Sequence, residues 1–453
     1  MMKQPRIAVI GAGITGLTVA YYLNKNGLDV TVFEQNDHPG GVIRSFSRDG
    51  FIYEYGPNTG TLSNIETVRL LLDELAGDVE IQVPDERAKK RLIWKSGRWH
   101  ALPTGPVGGL LTPLFTWKDK IRLLAEPFRK PGTDPMESVA GMVIRRMGRS
   151  YLDYAVDPFI SGIYAGDPDY LVTRYALPKL YALEQEYGSF IGGAMKKAKI
   201  PKTDDERRVT KEIFSARGGL EAIIRALAGR VGEGRIRLHT QARVQKRPGG
   251  YLVNGEPFEV VVSTAGAYAL PEIFGFLATE DLAPVTQLRY AGVVEIALGF
   301  KQWTGMDLNA FGGLVPTVEN KNILGILFMS TLFEGRAPKG GALLTTFVGG
   351  IKKPHLLGMS RDELMALLEP EWRQLLGLKD FRPDLTEVFY HPRAIAQYGP
   401  DSPARLQAIE RIQAENPGLY LAGSIRDGIG MADRIKQASH LVEEITLNLK
   451  FEN

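Results

Sequence analysis

The chain has 453 residues, 44% apolar and 24% charged, a globular composition long enough for two or three domains and a sizeable core. It has no cysteine, which excludes disulfides, thiolate metal sites, a cysteine nucleophile and a cysteine-linked cofactor; six histidines argue against a histidine-rich metal centre. Its 55 basic and 52 acidic residues balance to +3, which gives no nucleic-acid footprint.

Met1 to Arg6 run straight into a strand-like segment, with no signal region or cleavage site, so a cytoplasmic protein is expected. Ile7-Ala8-Val9-Ile10 is a short apolar run ending in Gly11-Ala12-Gly13-Ile14-Thr15-Gly16. Leu17, Ala20 and Leu23 recur at helical spacing, and Gly27 closes that helix. Val30 to Phe33 read as a second strand, with Glu34 at its end. Strand, glycine turn, helix, strand and acid is the order of a dinucleotide-binding unit. Gly11 permits the tight turn, Gly13 lets the backbone approach a pyrophosphate, and Gly16 lets the helix pack close to the sheet. The helix N-terminus offers free N–H groups to the diphosphate. Glu34 lies where a ribose-binding carboxylate belongs, which disfavours NADP and leaves NAD and FAD.

Two further glycine turns follow, Gly40 to Ser45 and Glu54-Tyr55-Gly56-Pro57-Asn58-Thr59. Ser63 with Glu66 reads as a capping box, opening a helix whose apolar face is Ile65, Val68, Leu72 and Leu75. Arg91 to Trp94 and about Trp99 to Leu102 read as strands around a Ser96-Gly97 turn. The longest uncharged stretch, His100 to Trp117, is broken by Pro103, Pro106 and Pro113 and is no spanning helix. From about Thr104 to Lys202 the chain reads as helical and loop-rich, with basic clusters at Lys118, Lys120 and Arg122 and at Lys196, Lys197, Lys199 and Lys202.

A helix begins near Gly218-Gly219-Leu220, and Arg235 to Lys246 and Tyr251 to Val253 read as strands of a hairpin-like region. Phe258 to Val262 is a buried strand ending in Ser263-Thr264-Ala265-Gly266. About Ala267 to Phe389 alternate strands and turns, with one clear helix at Arg361 to Leu376. Leu419 to Gly423 form a strand, followed by a glycine turn and a final helix from about Met431 to Leu449. A nucleotide unit at the start and a strand–glycine–helix unit at the end suggest one domain built from both termini, with the substrate site between domains. The final helix would then aim its N-terminus at the cofactor.

The turns at Gly40-Gly41-Val42-Ile43-Arg44-Ser45 and Glu54 to Thr59 resemble flavin-contacting segments of two-domain flavoproteins such as amine oxidases, phytoene desaturases and protoporphyrinogen oxidases. Asp157 to Pro168 closely resembles a segment of the protoporphyrinogen oxidase and coproporphyrinogen III oxidase family, within the flavin amine oxidase superfamily. The likeness continues through Leu177 to Leu180, Leu183 to Ser189, Phe311 to Pro316, Leu332 to Pro338, Thr346 to Gly350, Arg393 to Tyr398 and Leu421 to Asp433, essentially the whole chain in order. Departures are His391 where the family often has tryptophan, Ala396 for the usual proline, Gly399 to Ser402 in place of a glycine–histidine pair, and Ser424 to Asp427.

The resemblance implies an α/β (α+β overall) two-domain flavoprotein with a Rossmann-like FAD-binding domain, a mixed-sheet substrate domain and a helical insertion. The expected FAD-binding domain comprises 1–88, 206–266 and 389–453; the substrate domain 89–103 and 267–388; the insertion 104–205. The FAD site is expected from Gly11, Ala12, Gly13, Ile14, Thr15, Gly16, Glu34, Gln35, Gly41, Val42, Arg44, Gly56, Pro57, Asn58, Thr59, Val244, Thr264, Gly423, Ile429, Gly430 and Met431. For the substrate, Arg91 would pair with a propionate, Leu314 and Phe333 would pack on a macrocycle, and Gly162 would bring backbone close to a pyrrole. His391 reads as structural, no metal is expected, and no residue stands out as a general base.

The implied reaction oxidises protoporphyrinogen IX to protoporphyrin IX in haem synthesis, removing six electrons in three flavin cycles, with molecular oxygen the acceptor and hydrogen peroxide the product. The redox chemistry is the flavin's; the protein supplies placement and electrostatics. Coproporphyrinogen III oxidation is the first alternative; an amine oxidase or carotene desaturase, and a non-catalytic flavin- or porphyrin-binding protein, are more remote. The uncharged Gly108 to Trp117 stretch with its following cations suits either a peripheral contact with the inner face of the cell membrane or an interdomain contact. A neighbouring haem-pathway enzyme is a further candidate partner; nucleic acid is not.

Overall fold

The computed structural model describes residues 5–451. Its first sheet has five parallel strands in the spatial order Ile236–Arg237, Asp29–Phe33, Arg6–Ile10, Val260–Ser263, Leu419–Leu421. These strands are short apolar runs because both faces are covered. Ile7, Val9, Val30, Val32, Val260 and Val262 join one core, with the helices Ile14–Lys25, Glu221–Val231 and Met431–Phe451. The alternating residues Ala8, Ile10, Phe33, Val261, Leu419 and Leu421 join another.

The second sheet has seven strands: Leu385–Ala396, Tyr290–Phe300, Ala342–Gly349, Ile323–Leu327, Gly312–Leu314, Arg91–Lys95 and Arg98–Ala101. Its strand pairs are antiparallel except Gly312–Leu314 with Arg91–Lys95. One face carries Trp94, Val294, Ile296, Leu298, Ile326, Leu344 and Val348. It packs on Leu364, Leu368, Trp372, Leu375 and Leu376 of the helix Arg361–Leu376. That helix has the expected bounds, with a Ser360–Glu363 capping box at its start and Gly377 at φ 66° after its end. The period of two puts Arg91, Ile93, Gly312, Leu314, Thr345, Phe347, Glu295, Ala297, Phe389 and His391 on the opposite face.

Residues 105–208 form short helices over part of that second face. Ile93 shares a core with Leu114, Phe115 and Ile160 of this insertion. The insertion is braced by buried ions as well as apolar packing. Arg146 Nη1 donates to Glu184 Oε1 (2.7 Å), and its Nε donates to Glu126 Oε1 (2.5 Å). Glu126 also accepts from the Phe190 and Ile191 amides (2.9 and 3.1 Å) and from Ser189 Oγ (2.8 Å).

Four expectations are corrected. The helix after residue 63 is capped by Asn64, whose Oδ1 accepts from the Thr67 amide at 2.9 Å; Ser63 and Glu66 form no capping box. Arg235 to Lys246 is no single strand: Ile236–Arg237 joins the parallel sheet, while Val244–Arg247 joins an antiparallel one with Gly250–Val253 and Glu256–Phe258. The chain turns between them, with His239 at φ 51°. Short helices at Leu270–Ile273, Thr279–Thr286 and Met329–Leu332 supplement the one expected between 267 and 389. The boundary expected at 388/389 falls inside a continuous strand that stays in the seven-stranded sheet through Ala396.

Candidate functional site

The glycine turn after the first strand is dictated by backbone contact. Gly11 takes φ 97°, and its amide donates to the Phe33 carbonyl at 2.8 Å. A Cβ on Gly16 would lie 1.9 Å from the Gly11 carbonyl oxygen, so only glycine lets this helix sit so close to the strand. Gly13 is the opposite case: a Cβ there meets nothing within 4 Å. Gly13 is also the N-cap of the Ile14–Lys25 helix, and no side chain caps it. An open approach to uncapped helix N–H groups is an anion cradle.

The other expected cofactor segments converge on this turn. Gly40 and Gly13 form a parallel bridge, and the Gly40 amide donates to the Ala12 carbonyl at 2.7 Å. A Cβ on Gly56 would lie 2.5 Å from the Val42 carbonyl, so the Gly56–Thr59 turn sits on the Gly40–Val42 turn. Thr264 Oγ1 donates to the Ile10 carbonyl (3.0 Å), and the Gly423 turn, at φ 90°, lies against the Thr264 carbonyl. The Asn64 side-chain amide ties the start of the final helix in place through the Ala432 carbonyl (2.9 Å).

Glu34 is buried, and its carboxylate organises the turn itself. Oε2 accepts from the Ala12 amide at 2.8 Å; Oε1 accepts from the Asn36 amide and side chain at 2.9 and 2.8 Å. Gln35 and Val42 are exposed at the rim. Arg44 lies over the Phe46 ring, 5.2 Å from its centroid. The Val244 side chain is buried in the core with Phe33 and Phe258, which leaves only its backbone for a ligand.

At the end of the chain, Arg434 is only 8% exposed, one turn into the final helix. Its Nη2 donates to the Gly428 carbonyl (2.8 Å), but Nε and Nη1 are buried without a partner. An open glycine, an uncapped helix start and a buried, part-satisfied guanidinium beside the second glycine turn together fit an anionic dinucleotide cofactor. Among the described residues no group of three or more His, Asp or Glu is placed to hold a metal ion.

Of the expected substrate residues, the structure brings two together. A Cβ on Gly162 would lie 2.5 Å from Leu314 Cδ2, so the helix Asp157–Tyr164 packs directly on the sheet, and both residues remain partly exposed. Asp157 explains why that segment starts with an acid. Its Oδ2 accepts from the Thr317 amide (2.9 Å) and its Oδ1 from Lys352 Nζ (2.5 Å), which locks the helix onto two loops of the sheet. Arg91 is exposed at the same face; its guanidinium carbon lies 5.5 Å from the Phe311 ring centroid, and it forms no ion pair among the described residues. Phe333 is 2% exposed in a cluster with Phe51, Tyr53, Met329 and Leu343, against which Phe311, the ring beneath Arg91, also packs.

His391 is structural in its geometry. Nε2 donates to the Tyr55 carbonyl at 2.7 Å, and the two rings meet edge-on at 4.7 Å. Burial pulls its pKa below the usual histidine value, against the opposing pull of that carbonyl. Phe46, Tyr53, Tyr55 and Phe389 complete an aromatic joint between the nucleotide half and the seven-stranded sheet.

Two buried carboxyls at this joint escaped the sequence reading. Glu54 Oε1 accepts from Arg336 Nη1 (2.7 Å), and its Oε2 accepts from Ser45 Oγ (2.5 Å). Burial raises its pKa, with the Arg336 charge opposing. Glu295 Oε1 accepts from Asn58 Nδ2 at 2.7 Å, and burial raises its pKa well above the usual carboxylate range. The signal was there: Glu295 is the only charged residue in the strand Tyr290–Phe300.

Residues 14–432 match the flavin containing amine oxidoreductase family. The mitochondrial protoporphyrinogen oxidase of Nicotiana tabacum is 31% identical, the alignment covering 97% of this chain and 94% of that protein. The coproporphyrinogen III oxidase of Bacillus subtilis (strain 168) is 24% identical over 97% of this chain and 98% of its own. Among solved structures, a candidate protoporphyrinogen oxidase from Exiguobacterium sp. 255-15 superposes with a TM-score of 0.81 at 23% identity, covering 99% of this chain and all of that one.

Proposed function

This chain belongs to the flavin containing amine oxidoreductase family, and from that membership we propose that it is an FAD-dependent oxidase of porphyrinogens, with protoporphyrinogen IX as substrate. The observation that carries the reading is end-to-end similarity to a protoporphyrinogen oxidase at 31% identity, with both chains covered almost entirely.

The chemistry FAD supplies at such a site is two-electron hydride acceptance and return of those electrons to oxygen. The chain's own residues bind and orient. The Gly11–Gly16 turn and the uncapped helix start would hold the diphosphate, and Glu34 would take ribose hydroxyls with its remaining acceptor capacity. The Gly56–Thr59 turn and the start of the final helix would hold the ring system, with the Arg434 charge and the helix dipole favouring negative charge there. Leu314 and Gly162 supply the apolar wall for a macrocycle, and Arg91 a cation for a propionate at its edge.

The insertion supports a peripheral membrane location. Val107, Leu110, Leu111, Trp117, Ile121, Leu124 and Phe128 are exposed along it, Leu111 by 77% and Phe128 by 90%. Lys118 and Arg122 share the Trp117–Leu124 helix. Among the described residues no helix is long and apolar enough to cross a membrane, so the expected contact is interfacial.

The test is porphyrin fluorescence from protoporphyrinogen IX and coproporphyrinogen III in air, each corrected for autoxidation, with the extracted cofactor identified by chromatography. Turnover of protoporphyrinogen with FAD extracted supports the reading. Faster coproporphyrinogen turnover moves the substrate assignment to the tetracarboxylate. Turnover of neither, even with a quinone as alternative acceptor, overturns the catalytic reading.

A further inference from the structure

Two carboxyls lie buried where the seven-stranded sheet meets the nucleotide half, and they are treated differently. Glu54 has Arg336 at 2.7 Å. Glu295 is 2% exposed and has no ion-pair partner among the described residues; its hydrogen bond is to Asn58.

Asn58 is buried and its side-chain amide is committed on three sides. Nδ2 donates to Glu295 Oε1 (2.7 Å) and to the Gly56 carbonyl (3.0 Å), while Oδ1 accepts from Thr345 Oγ1 (2.9 Å). Glu295 and Thr345 project from adjacent strands of the sheet, in register across Glu295–Phe347 and Ala297–Thr345. Turning the amide over would set its oxygen against the Gly56 carbonyl, which can only accept. Gly56 in turn has no room to shift toward Val42, whose neighbour Gly41 lies against Gly13. A continuous set of contacts therefore runs from the substrate sheet to the dinucleotide turn.

We propose that Glu295 is a positioning residue for the flavin: acting through Asn58, it fixes the Gly56–Thr59 turn against Val42 and so shapes the seat of the ring system. The inference rests on the reading that a flavin occupies that turn. Glu295 does this as a neutral acid. Burial holds its proton on, the nearby Glu54 charge adds to that, and the Asn58 bond opposes it. Arg336, the cation at this joint, is spent on Glu54 and on Ser215 Oγ (2.5 Å). An amide oxygen at position 295 would accept from Asn58 equally well, so glutamine should replace the acid and leucine should not.

The experiment titrates the flavin-free protein with FAD, reading quenching of flavin fluorescence, for the wild type, Glu295→Gln, Glu295→Leu and Thr345→Val, alongside the melting temperature of each flavin-free protein and KM and kcat of each loaded one. Glu295→Gln should bind FAD within about twofold of the wild type. Glu295→Leu, titrated at a temperature where the flavin-free protein is still folded, should bind about tenfold more weakly; it should also melt lower, because one buried Asn58 N–H is left without an acceptor. Thr345→Val, a near-isostere that keeps the fold if the leucine variant does not, should weaken binding about threefold. In the loaded variants kcat should fall with KM little changed, as expected for a misplaced cofactor. The inference is overturned if Glu295→Leu and Thr345→Val bind FAD like the wild type, if glutamine is as damaging as leucine, or if the affinity loss disappears when each variant is titrated well below its own melting temperature. A wild type that takes up no FAD overturns the proposed function as well.

Discussion

In the dinucleotide half the decisive contacts are between backbones. Gly16 packs against the Gly11 carbonyl, Gly56 against the Val42 carbonyl, and Gly423 against the Thr264 carbonyl. At the site-facing side of the seven-stranded sheet they are between buried polar side chains: Glu54 with Arg336, Glu295 and Thr345 with Asn58, Asp157 with Lys352. At these three glycines the first region tolerates almost no added atom. The second tolerates changes of shape but not the loss of one partner from a pair, because the partner left behind is buried and unsatisfied.

The sharpest way to break the second region is Arg336→Met. It leaves the Glu54 carboxylate in the core without its cation, and the expected loss is about 3–5 kcal/mol of stability. Urea denaturation measures it, and the loss should be larger at alkaline than at acid pH, where Glu54 can take up a proton. Adding Glu54→Gln should recover most of the loss. If the single and double variants are equally unstable, the pair is not what holds this joint. In the first region the matching variant is Gly16→Ala, one methyl against a carbonyl oxygen. About 3 kcal/mol is expected, divided between folding and cofactor affinity, so purified protein should carry only traces of flavin.

The same contrast explains what the sequence disclosed. The dinucleotide unit is local: a tight turn, a close helix and an acid within one strand–helix–strand unit fix the residue types at fixed spacing, so Gly11, Gly13, Gly16 and Glu34 were legible. The helix Arg361–Leu376 was legible for the same reason, since its cap and apolar period are both local. The joint was not. Glu295 lies 237 positions from Asn58, and Arg336 lies 282 from Glu54; no periodicity links them. Phe333 is placed at the macrocycle by the resemblance alone, and only the packing around it shows it to be enclosed. The strand expected through Lys246 failed where a left-handed His239 ends the pairing, a break that no glycine or proline announces.

Arg91→Ala probes the open edge of the second region, where no buried partner is left behind. Its expected effect is confined to substrate: KM for the porphyrinogen about tenfold higher, with kcat within about twofold and melting temperature unchanged. A fall in kcat at constant KM would move Arg91 from binding a propionate to shaping the reacting geometry.

The smallest effect at any one pH is also the most diagnostic, because its sign is fixed in advance. Glu295 has a folded-state pKa raised above its unfolded value, so its contribution to stability is fully present below the unfolded value and is lost as pH rises toward the folded one. Over that window the unfolded chain has released a proton that the folded protein keeps, and stability should fall by about 1.4 kcal/mol per pH unit from this group alone. Glu295→Gln cannot titrate. The stability difference between variant and wild type, measured by urea denaturation at several pH values above 4.5, should therefore grow in favour of glutamine as pH rises. Asn58 keeps its acceptor in both proteins, so the slope reports the proton and not the hydrogen bond. A difference independent of pH would mean that the carboxyl is ionised in the folded protein. The joint would then hold two buried negative charges with one cation, Arg336, paired to Glu54 alone, and the neutral-acid account of how the sheet positions the cofactor turn would have to be given up.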